Sequence, residues 1–229
     1  MAFDAPDWQG FTWKTEVTPR PNLLFPTGKV IIAEEFASPN AAGRNSLGTD
    51  GTITIQTDQF FTPPAAGKFV TATVADDETT RNFTFGFPQS KKVGIEFAFS
   101  RKAASNPEML AGFSLVSAGK VYTGKVKFRM ATNRWQLYNT AGSYEDITGG
   151  VQVLESQEWY FHRAKLTVDF NTNTYGKLNC NDLELDLSSN ALHETASPYN
   201  GHITAFVGVV STGFATHIGR IDNITITEE

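Results

Sequence analysis

Three acidic residues, Asp182, Glu184 and Asp186, alternate with Leu183, Leu185 and Leu187 towards the end of this chain. On a β-strand such positions share one face. Retaining glycoside hydrolysis requires two carboxyls about 5–5.5 Å apart, which alternate strand positions can supply. The run begins in a hairpin turn at Asn181-Asp182, so its strand is short and its acids read as a solvated face. Glu145-Asp146 and Glu155 with Glu158 lack the spacing. Asp169, Asn171 and Asn173 match the first, third and fifth positions of a calcium loop. Thr174 then stands where that loop needs Gly and Cys180 where it needs a bidentate Glu, so the segment reads as a turn. His162, His193, His202 and His217 show no short metal-ligand spacing, and no Gly-x-Ser-x-Gly elbow is present. Without a matching catalytic motif, the chain is not expected to be an enzyme.

Aromatic side chains offer a different chemistry. Flat rings and amide or carboxylate hydrogen bonds grip sugars, and that asks only for exposed rings on a rigid surface. Trp135, Tyr138 and Tyr144 flank a Gly-containing hairpin, with Arg134, Gln136, Asn139 and Asp146 close in sequence. These three aromatics are the expected carbohydrate-binding residues. Trp135 shares a strand face with Leu137, a core-like setting, whereas Tyr138 falls with Gln136 and Arg134.

The elements that must hold such a site are strands. From Tyr160, every second residue through Phe170 lies on one face, and from Arg163 the other face is polar, as in a sheet with one wet side. Asn171 to Asn173 and Asn181-Asp182 punctuate hairpins. Further strands are predicted over 29–36, 51–57, 68–74, 82–87, 93–100, 112–118, 121–130, 133–138, 143–148, 151–155, 175–180, 183–187, 202–211 and 217–227. Phe97, Phe99, Leu166 and Val168 are expected between the sheets, with Phe83, Phe85 and Phe87 on a shared core face and Trp159 packed. Short helical turns are expected at 106–111, after Asn106-Pro107, and at 189–194.

The segment Glu158 to Leu187, together with Glu35-Phe36, Ala111 to Leu115 and Asp222-Asn223, resembles the concanavalin A-like lectin/glucanase superfamily, a laminin G-like jelly roll. The resemblance implies an all-β, antiparallel two-sheet sandwich over most of the chain. Family-16 glycoside hydrolases of that superfamily carry Glu-x-Asp-x-(x)-Glu on a strand, and Asp182, Glu184 and Asp186 depart from it at every acidic position. Many sugar-binding sandwiches hold a structural calcium between the first strand and an Asp near the last. The resemblance places Glu34, Glu35 and Asp222 in similar positions, and calcium is the cofactor it implies.

The 229 residues fit one large β domain, and 40% hydrophobic residues with 18 Phe suffice for a core between two sheets. A net charge of −5 without a Lys/Arg run argues against a nucleic-acid partner. The single cysteine, Cys180, excludes an intrachain disulfide and reads as a passive thiol. No targeting segment or membrane-length apolar run is read, so the chain is expected to be made in the cytoplasm. Residues 1–28 form a Pro-rich arm with Trp8, Phe11 and Trp13, and the sandwich is placed at 29–229. Such an arm must dock on its own domain, a protein partner or a second copy. Three functions follow: a non-catalytic module binding a glycan or cell-surface polysaccharide; a structural protein of a bacteriophage virion; and a glycoside hydrolase or polysaccharide lyase with an unrecognised site.

Overall fold

The computed structural model describes residues 28–229 apart from 35, 37–42, 50, 59, 62–64, 72, 102–106, 156–159, 200 and 214–215. The arm expected at 1–28, except Gly28, lies outside the described residues, as do Glu35 and Trp159. Among the described residues there are sixteen strands and no helix. They are β1 (Lys29–Glu34), β2 (Arg44–Ser46), β3 (Thr52–Gln56), β4 (Ala66–Val70), β5 (Glu78–Phe85), β6 (Lys92–Arg101), β7 (Glu108–Ser117) and β8 (Lys120–Arg129). They continue with β9 (Arg134–Tyr138), β10 (Tyr144–Val151), β11 (His162–Asp169), β12 (Thr174–Cys180), β13 (Leu183–Asp186), β14 (His193–Ala196), β15 (His202–Val210) and β16 (Ile218–Glu228). Two antiparallel sheets result. The back sheet runs β13-β12-β11-β6-β16-β4-β3 with β1 beside β16, and the front sheet runs β10-β9-β8-β7-β15-β5-β2 with β14 beside β8.

Period-two patterning builds both layers. Val93, Ile95, Phe97 and Phe99 of β6 and Ala164, Leu166 and Val168 of β11 face the core from the back sheet, each at most 1% exposed. Met109, Ala111, Phe113 and Leu115 of β7 answer them from the front. The expected core residues lie there, but Phe87 falls beyond β5 and is 44% exposed.

Local expectations failed where pairing overrides propensity. Glu108, expected inside a helical turn, opens β7 because its backbone pairs with Val210 and Arg129. Residues 193–196, expected to start in a turn, form β14 against β8. Residues 152–155 are not a strand; β10 instead reaches Val151 through a register shift after Asp146.

One side chain ties the layers together next to the future site. Tyr175 on β12 is fully buried, and its hydroxyl crosses to the front sheet. There it accepts the Lys125 amide at 3.0 Å and lies 2.7 Å from the Tyr138 carbonyl and 3.1 Å from that of Lys125, either of which can take its proton. The β8–β9 ladder pairs 126–129 with 134–137 and stops just there, so the hydroxyl takes the place of the next rung. Gly124 lies beside the crossing, where a Cβ would meet Leu192 at 2.6 Å and touch the Tyr175 ring at an ordinary 3.5 Å. Burial holds the Tyr175 phenol well above the ordinary tyrosine range.

Charge is also buried on the outward face of the back sheet. Lys165 pairs with Glu229 at 2.6 Å, and Glu96 lies opposite Lys165 in register. Glu96 is 3% exposed with one carboxylate oxygen lacking a hydrogen-bond partner. Burial pushes it up from 4.5 to about 7, against the pull of Lys165 and Arg163.

Two outcomes are expected from these contacts. Tyr175→Phe removes only the hydroxyl and strands buried backbone groups, so urea denaturation should show a loss of about 1–3 kcal/mol. Glu96 binds its proton more tightly folded than unfolded, so its contribution is full below pH 4.5 and is lost as the pH rises through about 7. Glu96→Gln should therefore raise the denaturation midpoint at pH 8 and leave it near the wild-type value at pH 4.

Candidate functional site

The outward face of the front sheet gathers the chemistry. Alternation along β8 sends Phe128 and Val126 to the core and Lys125, Lys127 and Arg129 outward. Register then aligns Gln136 with Lys127 and with Asp146 across β8, β9 and β10, and Tyr138 with Tyr144. The hairpin between the tyrosines is pinned by Asn139. Its Oδ1 accepts the amides of Ala141 and Ser143, both at 3.1 Å, and Gly142 supplies the left-handed residue at φ +78°. His193 of β14 props the same corner, with Nδ1 3.0 Å from the Thr140 carbonyl and its ring 5.1 Å from that of Tyr138.

The tyrosines form an edge-to-face pair with centroids 5.2 Å apart. Cations cover them: Lys125 Nζ lies 4.5 Å from the Tyr138 centroid and Lys127 Nζ 4.2 Å from that of Tyr144. Lys127 also meets Glu108 at 2.5 Å, and Arg129 Nε donates to the same carboxylate at 2.9 Å. Lys125 reaches Glu78 at 2.7 Å.

That last pair reveals the curvature of the face. Lys125 aligns with Gly112, Phe206 and Asn82 on successive strands, and Glu78 lies four residues beyond Asn82 on β5. In a flat sheet the two would stand about 14 Å apart across the strands and about 13 Å along them, more than two side chains span. The front sheet therefore curls and twists towards its outward side, and the ion pair spans the two intervening strands over a floor in which Leu110 and Val210 are buried. Leu110, Gly112, Phe206, Gly208 and Val210 are the outward residues of β7 and β15 beneath it. Gly112 is required, because a Cβ there would meet Phe206 at 2.7 Å and Lys125 at 2.5 Å.

The Tyr144 hydroxyl is buried and has no hydrogen-bond partner among the described residues. Burial first, then the negative charge of Glu78, holds it far above the usual tyrosine range, so it stays protonated. Asp146 is held below the usual carboxylate range by the Gln136 amide at 2.7 Å and by Arg134 at 3.2 Å. The assembled face offers ammonium, guanidinium, amide and phenol donors around a groove.

Of the expected sugar-binding residues, Tyr138 and Tyr144 stand together on this face and Trp135 does not. Trp135 requires correction: it is fully buried, packs on Phe128 at 5.1 Å and Phe99 at 6.4 Å, and donates Nε1 to Gln152. Its alternation with Gln136 points it inward, so it presents no ring to a ligand. Lys125, Lys127, Glu78 and Glu108 were missed, although the alternation of Lys125, Lys127 and Arg129 within a predicted strand carried the signal.

The implied calcium ligands are already engaged. Glu34 Oε1 accepts the Phe36 amide at 3.0 Å and Oε2 meets Arg81 at 3.3 Å, a buried ion pair that links β1 to β5. Asp222 accepts the amides of Phe61 and Asn223 at 2.9 and 2.6 Å. Among the described residues no three His, Cys, Asp or Glu gather as a metal-binding group. Asp186 accepts the Ser188 amide, and Glu184 pairs with Lys177 on the solvent side of the back-sheet edge, away from the groove.

No family model and no curated protein sequence matches this chain. Solved structures do. An endo-β-1,4-glucuronan lyase from the fungus Trichoderma reesei superposes with a TM-score of 0.59 at 11% identity, covering 88% of this chain and 96% of the lyase. An alginate lyase from Chlorella virus gives 0.58 at 7% identity over 88% of this chain and all of its own. A carbohydrate esterase from the Shiga toxin-encoding bacteriophage phi24B gives 0.55 at 13% identity, covering 89% of this chain and 100% of the esterase. These likenesses concern the backbone alone and show the fold, an all-β sandwich of two antiparallel sheets.

Proposed function

We propose that this protein binds a polysaccharide along the groove of the front sheet, without cleaving it, using Tyr138, Tyr144 and the polar side chains around them. The observation that carries this reading is the convergence of two partly exposed tyrosines, two lysines, Arg129 and Gln136 on one curled face. Rigid aromatic edges beside directed donors are what sugar hydroxyls require. Support for binding without cleavage comes from the acid–base groups. The Tyr144 phenol is kept protonated, which suits a hydrogen-bond donor and not a general base. Glu78 and Glu108 are each tied to cations. The named neighbours include lyases and an esterase, so cleavage is the outcome that the assay must be able to register. The virion reading draws in part on the arm at 1–28, which apart from Gly28 lies outside the described residues.

Affinity electrophoresis through gels containing neutral or acidic polysaccharides tests the proposal. The native chain should be retarded by at least one polymer, and Tyr138→Ala should lose about tenfold or more in affinity, the size of a stacking and hydrogen-bonding contact worth roughly 1.4 kcal/mol. Glu184→Gln, on the other sheet, should leave retardation unchanged. Release of unsaturated or reducing ends by the native chain would contradict binding without cleavage. Equal retardation of native protein and Tyr138→Ala would move the site elsewhere.

A further inference from the structure

We infer that Glu78 occupies the seat of a ligand carboxylate, so that the groove selects acidic glycans and the Lys125–Glu78 pair is a self-contact that such a ligand displaces. This inference rests on the groove being the glycan site and adds the class of glycan and its competitor.

The Lys125–Glu78 pair has an unusual position. Most ion pairs on a sheet join adjacent strands, as Arg129 and Glu108 do across β7 and β8. Lys125 and Glu78 instead meet over two intervening strands, above a floor that includes Gly112 and Gly208. The pair stands outside the ladder beneath it, on the face where a bound glycan would lie. Its side chains are 16% and 34% exposed, so water and solutes reach it. Partly exposed pairs of this kind are weak and exchange partners readily.

The surroundings are matched to an anion. The Lys125 ammonium is fixed over the Tyr138 ring, and Lys127 lies over Tyr144. Four cations on this face, Lys125, Lys127, Arg129 and Arg134, meet three carboxylates, Glu78, Glu108 and Asp146. Glu108 and Asp146 are each held by two donors, whereas Glu78 has Lys125 alone among the described residues and is the carboxylate most easily replaced. Beside it the buried Tyr144 hydroxyl has no hydrogen-bond partner among the described residues. A uronate carboxylate taking the place of Glu78 gains the Lys125 ammonium and brings ring hydroxyls to that phenol. A neutral sugar brings no charge to Lys125 and binds beside the intact Lys125–Glu78 pair.

Isothermal titration in low-salt buffer, with a galacturonic acid oligomer and a glucose oligomer of equal length, tests the assignment. Glu78→Gln keeps the shape and removes the competing charge. It should bind the uronate oligomer about fivefold or more tightly than the native chain, the scale of a released, partly exposed ion pair. Its affinity for the glucose oligomer should be unchanged. Lys125→Met should abolish the preference for the uronate, and added salt should weaken uronate binding in the native chain. Thermal melts of both variants confirm that each is folded. An unchanged uronate affinity in Glu78→Gln overturns the assignment, and so does an equal gain for both oligomers, which would mark Glu78 as a steric barrier only. If Tyr138→Ala still loses polysaccharide retention in either case, the groove remains the glycan site and only the role of Glu78 falls. Absence of binding by native chain and variants alike removes both readings.

Discussion

The hydroxyl of Tyr175 passes through the sandwich and ends the ladder between β8 and β9, and the site on the far side is arranged around that ending. A ladder left to run would pair Lys125 with Tyr138 directly. The phenol is inserted instead, accepting the Lys125 amide and lying within hydrogen-bond distance of both carbonyls. The two backbones are held apart by a group from the opposite layer, and their side chains project onto the outward face as a cation over a ring. Gly124 and Leu192 pack beside the phenol, and a side chain at 124 would collide with Leu192. Core packing and site geometry are therefore one problem in this protein.

Electrostatics separates the two outward faces. On the back sheet, Lys165 and Glu229 are almost wholly buried, and Glu96 avoids the cost of an unpaired buried charge by holding its proton near neutrality. That arrangement is structural and closed. On the front sheet the charges are graded, from the buried Glu108 with Lys127 to the partly exposed Lys125 and Glu78. Curvature brings residues from β5 and β8 into contact over the strands between them. The front face thus combines a firm base with a pair that can open, which suits reversible recognition of an extended ligand.

Much of this was legible in the chain itself. The alternation of Val93, Ile95, Phe97 and Phe99, and that of Ala164, Leu166 and Val168, announced a two-layer sandwich because period two survives whatever the strand order. Asn181 and Asn173 marked turns, and both adopt positive φ. Tyr138 and Tyr144 were readable as neighbours because only a short hairpin separates them. Trp135 was misplaced in the site although its partner Leu137 signalled the core. Glu78 could not be found this way, since its meeting with Lys125 depends on strand order and sheet curl, and 46 residues of unrelated sequence separate the two. β14 escaped for a similar reason, because it exists through its pairing with the distant β8. The arm and its docking lie outside the described residues.

Backbone amide chemical-shift mapping during titration with an acidic oligosaccharide tests the central claim most directly. Perturbations should concentrate at Lys125, Lys127, Gln136, Tyr138, Tyr144 and Glu78, tracing the groove across β5, β8, β9 and β10, with the outward face of β11 and β16 unmoved. Perturbations gathered on the back sheet, or none at saturating oligosaccharide, would contradict the account.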